Sequence, residues 1–318
     1  MTVTLEPMPA ERFDAWRADT VARFAALRRE SGMLPPAEAQ EQGEGIVAGR
    51  LPDGVRSADQ HVLEIRDDGR LAGTAWLEVR AGQDARMGAM LYALDADPAV
   101  AAPALDLLER YAASAGAETL RIDLFGQDEA GWRAIEGRGY RASSIQMLLA
   151  PLPAPRPPAT IRLSRMDAQQ YDAFAERLIA EFADDLEREG LHSAESARAE
   201  SERQTAEALP NGIDTEDELL FVAEAGGSDD PVGVVWLSVQ RRSTGPHVFV
   251  LELRVEAAHR RRGYGRAIMC AVEEEARRIG ADSVGLHVFG FNDAASALYD
   301  ELGYRRAEVL SVKDLPRP

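Results

Sequence analysis

Two hydrophobic periods alternate along this chain. In the second half, Tyr171, Phe174, Leu178, Ile179, Phe182 and Leu186 recur at the spacing of one helix face, which predicts a helix over 168–188. A more polar helix is expected over 193–209, ended by a Pro-Asn-Gly turn. Runs at 160–164, 219–225, 231–240, 247–255, 283–289 and 307–313 are rich in alternating or β-branched residues and read as strands. Helices at 265–279 and 294–302 are each closed by a glycine, Gly280 and Gly303. The order β-α-α-β-β-β-α-β-α-β predicts an α/β (α+β) fold with helices on a largely antiparallel mixed sheet.

The first half repeats this pattern. Met8, Phe13 and Trp16 match Met166, Tyr171 and Phe174 at a spacing of 158, and Gly32 and Gly54 match Gly190 and Gly212 at the same spacing. The spacing grows to 160 where Trp76 meets Trp236, and to 164 where Gly126 and Tyr140 meet Gly290 and Tyr304. Order is kept, and the insertions fall where turns are expected, so the chain is a tandem duplication. Between the copies, residues 151–158 hold five prolines in eight positions, which no helix or central strand tolerates. The expected organisation is a domain over 1–150, a proline-rich linker over 151–159 and a second domain over 160–318.

Composition narrows the partners. The chain has 318 residues and a formal net charge of −18, a surface that repels phosphate backbones and argues against nucleic-acid binding. It would draw in cations, which suits an amine substrate. No run approaches the roughly 20 apolar residues of a membrane span. No basic and then apolar segment opens the chain, so no secretory signal is expected and the reading is cytoplasmic. A single cysteine, Cys270, rules out an internal disulfide framework, and the scattered histidines offer no structural zinc site. Cys270 reads as packing filler rather than a nucleophile, since no base is paired with it.

The most informative segment runs from Leu251 to Met269. A strand enters a loop with the pattern R-x-x-G-x-G, at Arg260, Gly263 and Gly265, and the loop opens directly into a helix. The glycines let the backbone approach a ligand, the helix start adds partial positive charge, and Arg260, Arg261, Arg262 and Arg266 add cations. That combination suits a pyrophosphate. The segment lacks the third glycine of a dinucleotide fingerprint, with Ile268 in its place, and lacks the Gly-Lys-Ser/Thr end of a nucleotide P-loop.

This loop, with the downstream pattern N-x-x-A-x-x-x-Y at Asn292, Ala295 and Tyr299 followed by Gly303-Tyr304, resembles the acetyl-CoA site of the GNAT (GCN5-related N-acetyltransferase) superfamily. The resemblance covers 160–318. It implies an acetyl-CoA-dependent N-acetyltransferase acting on a primary amine of a small molecule or peptide, by direct attack in a ternary complex. It implies that backbone groups of Leu253, Arg254 and Val255, on a splayed strand edge, hold the pantetheine arm and the acetyl carbonyl. The backbone from Arg261 through Gly263, Tyr264 and Gly265 to Arg266, with Arg260 beside it, would hold the pyrophosphate. Asn292 would bond the cofactor arm, and Tyr299 would be the general acid that protonates the leaving thiolate; otherwise it is a core tyrosine on an amphipathic helix. Glu252 is the first candidate for the general base, with His247, Glu256 or a water relay as alternatives. His287 reads as a packing histidine. No metal is implied.

The first copy keeps the scaffold without this chemistry. In place of the loop stand Asp95, Asp97, Pro98 and Pro103, and at a spacing of 164 Asp128 replaces Asn292 and Ile135 replaces Tyr299. The first copy is therefore expected to be a degenerate GNAT-like half, pairing with the active one as an intramolecular pseudo-dimer. Two other functions stay open: a non-catalytic acyl-CoA sensor or scaffold, and transfer of a longer acyl group.

Overall fold

In the computed structural model, the described residues are 2–81, 87–155, 161–189, 192–226 and 231–316. They form two compact units, Met1–Ile145 with Arg306–Pro318, and Gln146–Arg305. The repeat boundary in sequence and the boundary in space therefore differ: the end of the chain belongs to the first unit. The reason is strand pairing. The last strand, β12 (Arg305–Asp314), runs antiparallel to β5 (Thr119–Phe125), with Val309 opposite Leu124 and Val312 opposite Arg121. Leu315 completes the apolar cluster of that unit. Of the proline-rich connector, residues 156–160 lie outside the described residues. The preceding part is tied to the second unit, where Leu152 N–H donates to the Asp282 carbonyl and Arg277 donates to the Pro153 carbonyl.

The first unit contains β1 (Val3–Pro7), α1 (Ala10–Ser31), α2 (Pro36–Arg50), β2 (Gln60–Asp67), β3 (Arg70–Ala81), β4 (Met87–Ala96), α3 (Pro98–Ser114), β5 and α4 (Glu129–Ile135). The strand β6 (Arg141–Leu149) carries the chain into the second unit. There follow β7 (Ile161–Arg165), α5 (Ala168–Glu189), α6 (Ala194–Ala208), β8 (Glu218–Ala225), β9 (Pro231–Arg242), β10 (Gly245–Val255), α7 (Tyr264–Ile279), β11 (Val284–Phe289) and α8 (Asp293–Leu302). Every strand and α-helix expected for the second copy is present. The short 3-10 turns Gly212–Asp214 and Ala257–His259 carry no periodic signal and are not expected from the sequence.

Within the second unit, β7, β8, β9 and β10 pair antiparallel in that order, and β11 joins β10 in parallel. Alternation sends Val234 and Trp236 to a cluster with Phe174 and Leu178 of α5. Gly233 faces the other way, against α7: a Cβ there would lie 2.3 Å from the Arg254 carbonyl oxygen and 3.0 Å from Ile268. Helix α5 starts at a reciprocal cap, Gln170 N–H to Asp167 Oδ1 (2.8 Å) and Asp167 N–H to Gln170 Oε1 (2.9 Å).

The duplication is visible in the packing. Trp16 meets Trp76 edge-on at 6.0 Å, and Phe174 meets Trp236 edge-on at 6.3 Å. Phe13 covers Gly54 as Tyr171 covers Gly212, at positions where positive φ requires glycine. If β12 is part of the first unit's core, Val309→Ala should cost that unit roughly 2 kcal/mol by cavity formation. Urea denaturation followed by the fluorescence of Trp76 should then show an earlier transition, and an unchanged midpoint would contradict the assignment.

Candidate active site

The second unit holds a cleft of about 890 Å³, bounded by α5, α6, β10, the loop after it, β11 and α8. Its origin is backbone geometry. The parallel pairing of β10 and β11 covers Val248–Val284, Phe249–Gly285 and Val250–Leu286, although β10 continues to Val255 and β11 to Phe289. At the same point β10 bulges against β9: Val250 pairs with Leu237 and Glu252 with Trp236, leaving Leu251 as the extra residue. Beyond the bulge, Glu256 N–H donates to the Val232 carbonyl. The period of two then turns the main-chain groups of Leu253 and Val255 away from β9, toward the gap. The Val255 carbonyl accepts from Arg260 Nε at 3.1 Å.

The loop closes one end of the cleft. Arg261 has φ +56° and Gly263 φ +84°, and α7 begins at Tyr264. Left-handed residues immediately before a helix start bring successive N–H groups to one side, a geometry that holds anions. Gly265 lies under α8, where a Cβ would stand 3.2 Å from Leu298. Arg260, Arg261, Gly263, Tyr264, Gly265 and Arg266 all line the cleft; Arg262 is exposed and does not. Arg266 is ion-paired with Glu301.

Glu252 and Tyr299 both line the cleft, close enough for the Glu252 charge to act on the phenol. Burial pushes the Glu252 carboxyl up to about 7, with Glu181 and Asp185 adding to the rise and Arg254 and Arg177 opposing it. Burial, and secondarily the Glu252 charge, pushes the Tyr299 phenol up to about 12, so it stays protonated near neutrality. Tyr299 is 7% exposed and packs against Tyr304 at 5.8 Å. The arrangement pairs a carboxylate able to take a proton near neutral pH with a phenol able to give one.

Several residues are placed otherwise than the sequence suggests. The Arg254 side chain, 8% exposed, donates to Glu181 (3.1 Å) rather than pointing to a ligand, and its carbonyl faces Gly233 of β9. Glu256 is held by Arg177 (3.2 Å) and does not line the cleft. His247 is 2% exposed, bonded through Nδ1 to Ser283 Oγ (2.9 Å), and held down to about 3 by burial and by Arg242. It lies outside the cleft and offers no base. His287, expected as a packing residue, lines the cleft and meets Phe289 edge-on at 5.1 Å. Asn292 caps α8 by accepting from Ala295 N–H (3.2 Å), which leaves its amide NH2 side for the cleft it lines. Cys270 is half-buried on α7 and does not line the cleft. The cleft residues of α5 and α6, including Glu181, Phe182, Asp185 and Thr205, have no motif of their own; only the helical period places them on one face.

The first unit keeps the backbone device. Its parallel pairing of β4 and β5 also stops, at Leu91–Ile122, and β4 bulges at Tyr92 between the pairs Trp76–Ala93 and Leu77–Leu91. In this register Ala93 stands for Glu252, as Ile135 stands for Tyr299. The corresponding cavity measures about 260 Å³ and is lined by Arg23, Arg28 and Arg50.

Residues 175–304 match the acetyltransferase (GNAT) family. An uncharacterized N-acetyltransferase of Bacillus subtilis (strain 168), YycN, is 24% identical over 156 residues, 49% of this chain and 99% of that protein. The mycothiol acetyltransferase of Thermobispora bispora is 30% identical over 203 residues, 61% of this chain and 65% of that protein. The crystal structure of a GCN5-related N-acetyltransferase from Sphaerobacter thermophilus shares the fold over 99% of this chain and 96% of its own, with TM-score 0.53 at 19% identity. The C-terminal half thus matches the GNAT acetyltransferase family over residues 175–304, and the chain as a whole shares the fold of a GCN5-related N-acetyltransferase. Among the described residues no helix is long and apolar enough to cross a membrane.

Ionising a recessed carboxylate costs folding free energy. For Glu252 that cost is absent below its ordinary value of 4.5, where it is protonated folded or unfolded, and is complete above about 7. Glu252→Gln should therefore raise Tm at pH 8 and leave it unchanged at pH 4.5. A thermal scan at the two pH values checks the difference.

Proposed function

We propose that the cleft transfers the acetyl group of acetyl-CoA to a primary amine by direct attack within a ternary complex. The observation that carries this reading is that Glu252 and Tyr299 line one cleft together with the left-handed arginine-glycine loop. When bound there, acetyl-CoA supplies an activated acetyl group. The loop from Arg261 to Arg266 binds the pyrophosphate through its N–H groups and the start of α7, with Arg260 adding charge. Main-chain groups of Leu253 and Val255, left without a strand partner, would hold the pantetheine arm and the acetyl carbonyl, and Asn292 would bond the same arm. Glu252 takes a proton from the attacking amine. Tyr299 gives its proton to sulfur as the carbon–sulfur bond breaks.

The first half, with Ala93, Ile135 and an aspartate-proline segment at the equivalent places, performs no transfer and serves as scaffold. A sensor that binds acetyl-CoA without turnover is the reading to be separated from this one.

Release of CoA measured with acetyl-CoA and a panel of primary amines tests the proposal. Tyr299→Phe should lower kcat by about 100-fold with little change in acetyl-CoA affinity. Unchanged kcat would remove the general acid, and binding without turnover of any amine would favour the sensor. Replacing Gly263 and Gly265 together by valine should abolish acetyl-CoA binding by calorimetry; persistent stoichiometric binding would place a site in the first half.

The pH profile gives a separate check. With an alkylamine that stays protonated across the range, log kcat/KM should rise with slope two below pH 7, one proton from the amine and one from Glu252. Above 7 the slope should be one. Glu252→Gln should leave slope one throughout, and a profile identical to the native one would exclude Glu252 as base.

A further inference from the structure

On the α5 side of the cleft lies a row of aromatic rings that acetyl transfer itself does not use. Leu286 and Val288 of β11 are buried, while His287 and Phe289 project together into the cleft. Phe289 lies 6.5 Å from Phe182 of α5, and Phe291 stacks on it at 5.3 Å with the planes only 7° apart. The Arg188 guanidinium covers Phe291 at 5.0 Å, fixing the outer ring. Leu251, the bulge residue, faces the same space.

Exposure singles out this wall. Among the described residues, the large apolar side chains left exposed are Leu251 (43%) and Phe291 (42%). The first lines the cleft and the second stacks on a ring that does. Exposed apolar surface beside a cleft and rimmed by polar residues is the kind that marks a ligand-binding groove. Leu251 precedes Glu252 along β10 and both line the cleft with Phe289, so the wall lies on the side open to the part of an acceptor beyond the reacting nitrogen. The wall itself presents ring faces, ring edges and a leucine, while Glu181, Asp185 and His287 supply the polar groups beside it.

We infer that the acceptor is an amine carried on a flat apolar ring, with the ring seated against Phe182, Leu251 and Phe289 and the nitrogen directed to Glu252. This rests on the acetyl-transfer reading of the same cleft. Acetylation of 2-phenylethylamine, n-pentylamine and glucosamine by the full chain should be compared by kcat/KM. The ring amine is expected to exceed the alkylamine by roughly tenfold or more, chiefly through KM, as apolar pockets discriminate. Phe291→Ala should collapse that ratio toward one, and Phe289→Leu, which keeps the apolar volume for folding, should collapse it likewise. Equal rates for the three amines, or preference for glucosamine, would overturn the inference and leave acetyl transfer standing. Turnover of none of them, nor of a wider amine panel, would overturn both.

Discussion

A parallel strand pair satisfies its main-chain N–H and C=O groups only while the two strands stay side by side, and β10 and β11 do so over three residue pairs. Past Val250 and Leu286 both strands continue, yet apart. The bulge at Leu251 coincides with this parting, since the extra residue interrupts the β10–β9 register at the same point and bulges bend the strand that carries them. Every other part of the site depends on that parting. The gap is where a ligand can pair with main chain, Glu252 stands at its edge, and the loop after Val255 is aimed at its mouth. Tyr299 then needs only the short helix α8, started by Asn292, to reach the same place.

The first unit shows that this backbone device and the chemistry are separable. Its strands part at the corresponding pair and bulge at the corresponding residue, but alanine and isoleucine stand where the carboxylate and phenol would be. A cleft of the same origin is then partly filled, with Arg28 lodged between the rings of Phe24 and Phe125. Shape in this fold comes from pairing and register, which many sequences satisfy. In the proposed reaction, reactivity comes from two side chains.

That division also explains what can be read from sequence. The helices and strands of the second half are legible because each is amphipathic over its length, and the Arg/Gly loop is legible because backbone with positive φ restricts residue choice. The Glu252–Tyr299 pair is legible by resemblance, though their mutual effect on protonation is a matter of burial. The bulge at Leu251 leaves no mark, since a one-residue irregularity in an apolar run looks like the run itself. His247 misleads because it is a polar residue on the right strand, and only its partner across space, Ser283, shows where the side chain is committed. The aromatic row escapes notice because its members are far apart in sequence or lie in an ordinary strand end.

The placement of β12 bears on how this chain can be altered. A cut in the proline-rich stretch looks natural from the repeat, since it would separate two copies of similar length. Made there, it would take from the first unit the strand that pairs with β5, and would leave the other fragment ending in a ten-residue strand with an open edge. Such edges invite pairing with other chains. A first half that lacks counterparts of Glu252 and Tyr299 is therefore hard for the gene to discard: losing it would bare the edge of β12.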